Sequence, residues 1–166
     1  MTVTAVHKDP DALTMTLTAE FDASPERVWD LWADPRKLER WWGPPVYPAT
    51  FTFHDLRPGG RAEYHMTGPT GDQPHGLWEI VETDPPRLLV FVDRFANADG
   101  TPDHSIPGFE CRVTIESSAD GRTRMLIDNR FPSAEGMAKL LEMGMEEGLT
   151  EAAGQIDAIL AEGVPA

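Results

Sequence analysis

The sequence predicts an α+β fold: a seven-stranded, curved antiparallel sheet around a long C-terminal helix, with two short helices after the first strand. Three observations carry this. Residues 13–21 alternate apolar Leu13, Met15, Leu17, Ala19 and Phe21 with polar Thr14, Thr16, Thr18 and Glu20, the period of a strand buried on one face. Between 49 and 131 the chain breaks into six further strand-like runs separated by turn chemistry. From 133 to 162 apolar side chains recur at spacings of three and four, the mark of an amphipathic helix.

Taken in order, Ser24-Pro25 after the first strand offers an N-cap and a proline at the first helical position. Val28, Trp29, Leu31 and Trp32 supply the apolar stripe of that helix. Asp34-Pro35 repeats the signal for a second helix, about 35–41, with Leu38 and Trp41 inward and Gly43-Pro44-Pro45 as its stop. The strands then fall at roughly 49–54, 60–67, 75–83, 87–95, 109–118 and 122–131. Arg57-Pro58-Gly59-Gly60, Gly68-Pro69-Thr70-Gly71-Asp72, Asp84-Pro85-Pro86 and Ala119-Asp120-Gly121 are the turns, short enough to make antiparallel neighbours. Residues 96–108 are too rich in Asn, Asp, Gly and Pro for regular structure; they read as a solvated insertion or, alternatively, a lid or partner-contact loop.

The last helix starts at Ser133 and runs to about Glu162, where Gly163 and Pro165 end it. Met137, Leu141, Met145, Leu149, Ala152, Ile156 and Ile159 share one side. Gly144, Gly148 and Gly154 are out of place inside a helix, each costing about 1 kcal/mol relative to alanine, and predict a bend or a close approach.

Composition narrows the function. The 166 residues fit one domain, 1–166, with its core over about 13–160. A formal charge of −14 repels phosphate backbones and anionic headgroups, which argues against nucleic acid and membrane partners. A single cysteine, Cys111, rules out an intrachain disulfide and fits a reducing cytoplasm; the first ten residues hold no apolar signal stretch. His54, His65, His75 and His104 form no metal-binding motif, and no nucleophile elbow or phosphate loop appears, so neither a metal nor a cofactor is expected.

Four segments then carry a resemblance. They are Ser24-Pro25-Glu26-Arg27-Val28-Trp29, Trp41-Trp42-Gly43-Pro44, Asp55-Leu56-Arg57-Pro58-Gly59-Gly60-Arg61 and Pro85-Pro86-Arg87-Leu88-Leu89-Val90-Phe91. In this order the chain resembles the SRPBCC superfamily of START-like, helix-grip proteins, and within it the family named after the activator of the 90-kDa heat-shock-protein ATPase. The resemblance implies a small-molecule cavity between the sheet and the C-terminal helix. It also implies two other functions: a cyclase, dehydratase or hydrolase built on polar cavity residues, or a protein-interaction module that regulates a chaperone or forms a homodimer. Many relatives carry Trp where Leu149 stands, which implies a differently shaped cavity here.

Strand parity places Ala62, Tyr64 and Met66, then Gly76, Trp78 and Ile80, then Leu89, Phe91 and Asp93 on the concave face. Cys111, Val113 and Ile115, then Met125, Ile127 and Asn129, continue it. Tyr64, Trp78, Asp93 and Asn129 are the polar exceptions in an apolar cup, the composition of a ligand site. The candidate ligand-binding residues are therefore Trp41, Tyr64, Met66, Trp78, Phe91, Asp93, Asn129, Met145 and Leu149, the ligand a small apolar or amphipathic molecule. Asp93 is the candidate acid or base. Each polar residue has a structural alternative: core aromatics for Tyr64 and Trp78, an arginine partner for Asp93, backbone carbonyls for Asn129.

Overall fold

A computed structural model describes residues 3–118 and 121–162. Ala119-Asp120 of one expected turn, and Gly163 and Pro165 of the expected helix stop, lie outside them.

The sheet has eight strands, one more than expected, in the order β1-β2-β8-β7-β6-β5-β4-β3, every pair antiparallel. The strands are β1 (Val3–Asp9), β2 (Thr14–Phe21), β3 (Ala49–His54), β4 (Arg61–Met66), β5 (His75–Asp84), β6 (Leu88–Ala96), β7 (Phe109–Ser117) and β8 (Thr123–Arg130). The additional strand is β1. A register shift between Val3 and Ala5 breaks its period of two, so Val3 and Val6, three apart, are the side chains that pack on the core. Leu13, expected as the first strand residue, instead closes the β1-β2 turn with φ 60.

Helix α1 (Pro25–Ala33) begins as its sequence dictates, with the Ser24 hydroxyl accepting from the Arg27 amide. Asp34 does the same for Arg36 at α2 (Pro35–Leu38), and Trp41 packs just beyond it, fully buried. The long C-terminal helix proves to be three segments, α3 (Ala134–Glu142), α4 (Met145–Ala153) and α5 (Ile156–Glu162). Gly144 makes the first break with φ +92, a left-handed conformation that costs other L-residues about 1–2 kcal/mol. At the second break, Gln155 donates its side-chain amide to the carbonyl of Gly43 at 2.7 Å, fastening the helical layer to the loop after α2.

Gly148 behaves differently, because a Cβ there would meet nothing within 4 Å. Gly148→Ala is expected to raise stability by about 0.5–1 kcal/mol through helix propensity, and Gly144→Ala to lower it by about 1 kcal/mol. Urea denaturation of both variants checks the pair; equal shifts of the same sign would contradict the assignment of the bend.

This is the helix-grip arrangement, and the concave face is the apolar one, although Leu77 of β5 and Val90 of β6 are buried on the opposite face as well. Leu17, Ala62, Trp78, Leu89, Phe91, Cys111, Val113, Met125 and Ile127 are all at most 1% exposed. Ala152, Ala153, Ile156, Ile159 and Leu160 from α4 and α5 close over them.

Candidate functional site

The core is solid under α1 and α5, and α3 packs Met137 and Leu140 on Met15 and Phe131, but a gap remains where α3 meets α4. There the concave face leaves a hollow in two connected lobes of about 340 Å³ and 210 Å³, which share Pro44, Tyr64, Met66, Asp93, Phe109 and Met145 as walls. The outer lobe opens beside Tyr47, Pro74 and Met143; the inner one ends against Trp42, Asn129, Gly148 and Leu149. The size lies near the lower end of ligand cavities, about 300–1,000 Å³.

Six of the nine candidate residues therefore meet around one space: Tyr64, Met66, Asp93, Asn129, Met145 and Leu149. The other three do not border it. Trp41 is buried with its indole N–H given to the Leu31 carbonyl at 2.9 Å, and its ring meets Trp32 edge-on at 4.7 Å. Trp78 and Phe91 stack on each other at 4.1 Å and form part of the packed floor below the hollow. Parity put them on the correct face, but facing the concave side is not the same as facing its empty part: α1, the Trp pair and α5 fill that end.

The polar centre is Tyr64 with Asp93. Tyr64 lies opposite Gly76 across β4 and β5, and a Cβ at Gly76 would sit 2.2 Å from the Tyr64 ring. Glycine at this strand position thus leaves room for the ring to lie over β5. Stacking on Phe51 at 5.0 Å fixes its other face, and the hydroxyl donates to Asp93 Oδ1 at 2.9 Å. Asp93 borders the hollow, half-buried in its wall. Burial pushes its pKa up to about 7, against a smaller lowering by the Tyr64 hydrogen bond. Burial, and then the charge of Asp93, also raise Tyr64 well above the ordinary phenol range, so Tyr64 stays a donor. No arginine pairs with Asp93 among the described residues; the neighbouring Arg94 donates to Glu79 at 2.6 Å.

Two further donors stand beside this pair. The buried indole N–H groups of Trp42 and Trp78 have no hydrogen-bond acceptor, although both lie near enough to the Tyr64 hydroxyl to favour its ionised form slightly. Trp42 packs edge-on against Trp78 at 4.9 Å. Asn129 donates to the Met15 carbonyl at 3.0 Å, so its amide nitrogen serves the backbone while the residue still borders the inner lobe.

Sequence reading missed Pro44, Tyr47 and Phe109 as walls, while the adjacent Trp41 and Trp42 read as packing or closing the mouth of the cavity. Trp42 packs edge-on against Trp41 at 5.6 Å and reaches the inner lobe. Cys111 is buried beneath, its thiol pushed up by burial and then by the charge of Asp93, which leaves it a packing residue. His65 and His75 face each other across β4 and β5 at 5.4 Å, and no third metal-ligating side chain joins them among the described residues. No helix of the described residues is long and apolar enough to cross a membrane.

Comparison with known proteins agrees with this architecture. Residues 22–161 match the model of the family described as activator of Hsp90 ATPase homolog 1-like protein. A solution structure of a protein from Arthrobacter aurescens is 48% identical with a TM-score of 0.92, covering 99% of this chain and 94% of its own. A crystal structure of a protein from Mycobacterium smegmatis is 47% identical with a TM-score of 0.88, covering 95% of this chain and 96% of its own. A Staphylococcus epidermidis protein, 23% identical with a TM-score of 0.83 and covering 98% and 97%, shares the fold. No curated protein matches. With the family model spanning both short helices, six of the eight strands and the closing helices, the chain belongs to the activator of Hsp90 ATPase homolog 1-like family of the SRPBCC superfamily.

Proposed function

We propose that the protein binds a small apolar or amphipathic molecule in the hollow between the sheet and α3-α4. The observation that carries this reading is a mostly apolar space ending on one half-buried acid, Asp93, held by the Tyr64 hydroxyl and by no cation among the described residues. Leaving a carboxyl there without a cation costs stability, and such a cost is maintained where the group has a task. Entry is beside Met143, which is 53% exposed at the rim and sits at the Gly144 bend. The buried thiol of Cys111 and the absence of any possible intrachain disulfide accord with a cytoplasmic site of action.

Leu149→Trp tests this reading directly, since it puts an indole into the inner lobe. Fluorescence titration with the neutral dye N-phenyl-1-naphthylamine is expected to show saturable binding by the parent chain, weakened about tenfold or more in the variant, a change of about 1.4 kcal/mol. Circular dichroism should be unchanged. Equal binding by both proteins, or none by the parent, would remove the hollow as the site.

The Asp93 geometry also supports a second reading, an acid–base enzyme. A carboxyl with a pKa near 7 exchanges protons readily at neutral pH, and Tyr64 holds it in place. On a substrate turned over by this chain, the pH–rate profile would bend near pH 7, and Asp93→Asn would remove the bend.

A further inference from the structure

The polar end of the hollow is unevenly equipped. Tyr64 and Trp42 on its wall, and Trp78 from the floor beneath, bring three donor groups; the Tyr64 hydroxyl is matched by Asp93 Oδ1 at 2.9 Å, and the Tyr64 oxygen is the acceptor nearest to both indole N–H groups. One oxygen shared between two indoles leaves the site short of an acceptor, and an unmatched buried donor costs about 1–3 kcal/mol. The Tyr64 proton also fixes the acid's orientation. With Oδ1 engaged as an acceptor, a neutral Asp93 carries its own proton on Oδ2, which makes it a fourth donor.

Charge excludes the alternatives. Around Asp93 stand Tyr64 from β4 and Cys111 from β7, with His75 of β5 and Arg94 of β6 on the wall of the outer lobe. Arg94 is held by Glu79, and the helical layer lines the hollow with Leu140, Met143, Met145 and Leu149, none of them charged. An anion would be buried without a free arginine or lysine partner, and a cation would face surplus N–H groups.

We propose that the hollow selects a neutral molecule bearing a carbonyl oxygen, which accepts from the Asp93 carboxylic acid and the Trp42 indole N–H. This rests on the ligand-binding reading above and names the ligand's chemistry. A bicyclic aromatic ketone suits the outer lobe of about 340 Å³.

The test is calorimetric titration of the full chain with four probes of one shape: 2-acetylnaphthalene, 2-ethylnaphthalene, 1-(2-naphthyl)ethylamine and 2-naphthoate. At about pH 5.5 the ketone is expected to bind roughly three- to tenfold more tightly than the hydrocarbon, the worth of one net hydrogen bond. That preference should shrink by about pH 8.5 as Asp93 ionises. Asp93→Asn, whose amide still donates, should keep the preference and lose its pH dependence. Binding of the hydrocarbon, the amine or the carboxylate as tightly as the ketone would overturn the carbonyl assignment while leaving ligand binding intact. Failure of all four to bind would overturn both.

Discussion

Asp93→Asn is expected to stabilise the fold at pH 8 by about 2–4 kcal/mol and to change it by less than about 1 kcal/mol at pH 4. The sign follows from where the proton resides. In the unfolded chain Asp93 ionises near its ordinary value of 3.8; in the folded chain it holds its proton up to about 7, because burial penalises the charge more than the Tyr64 hydrogen bond relieves it. Below pH 4 both states are protonated and the carboxyl is neutral toward folding. Between about 4 and 7 the folded state binds more protons than the unfolded one, so stability falls by about 1.4 kcal/mol per pH unit; above 7 the loss is complete and constant. Three units give about 4 kcal/mol, and water reaching the carboxyl through the hollow reduces this toward 2.

Asparagine keeps an acceptor for the Tyr64 hydroxyl and cannot ionise, so the difference between the two proteins isolates this one group from every other carboxylate. Urea denaturation at both pH values reads it out. A variant stabilised equally at pH 4 and pH 8, or one less stable at pH 8, would show that Asp93 is not held as a buried acid.

Trp32→Ala is expected to cost about 3–5 kcal/mol, a large part of the roughly 5–15 kcal/mol that holds an ordinary domain together. Trp32 is fully buried on α1 and joins the aromatic cluster to the helix. It meets Trp41 at 4.7 Å and Trp42 at 5.7 Å edge-on, lies 6.0 Å from Trp78 and 6.2 Å from Phe91, and donates its indole N–H to Met125 Sδ at 3.4 Å. Aromatic contacts of this kind add about 0.5–1.5 kcal/mol beyond area burial. Alanine leaves a void bounded by elements that cannot all collapse into it, since α1 is capped by Ser24 and Trp41 is tied to Leu31. Chemical denaturation checks the magnitude. A loss below about 1 kcal/mol would mean that the cluster relaxes freely and is not the rigid floor of the hollow.

Much of this fold was legible because strand parity is a local signal. Once Met15, Leu17, Ala19 and Phe21 identify the buried face of one strand, the register of each short turn carries the pattern to Tyr64, Asp93 and Asn129 on distant strands. Ser24-Pro25 and Asp34-Pro35 started helices where capping chemistry requires. Three things escaped. The bulge at Val3 and Ala5 hid β1, because it removes the alternation by which a strand is recognised. The phase of the C-terminal helix was drawn as continuous, whereas Gly144 resets it; Leu140 is buried instead of Leu141, which is only partly so. Finally, parity says which face a residue is on but not where that face is left uncovered. That depends on how far α3 and α4 stand off the sheet, a tertiary property, which is why Trp78 and Phe91 were placed at the ligand and belong to the floor.

The seven methionines give the most direct test of the hollow itself. Met66 and Met145 line it, Met143 stands at its rim, and Met15 and Met125 are sealed in the core. In a spectrum of the full chain labelled with ¹³C at the methionine methyls, adding 2-acetylnaphthalene should shift the signals of Met66, Met143 and Met145 saturably and together, and leave those of Met15 and Met125 in place. Signals that do not move, or that move for Met15 and Met125 as much as for Met66 and Met145, would contradict a preformed ligand cavity between the sheet and its helices.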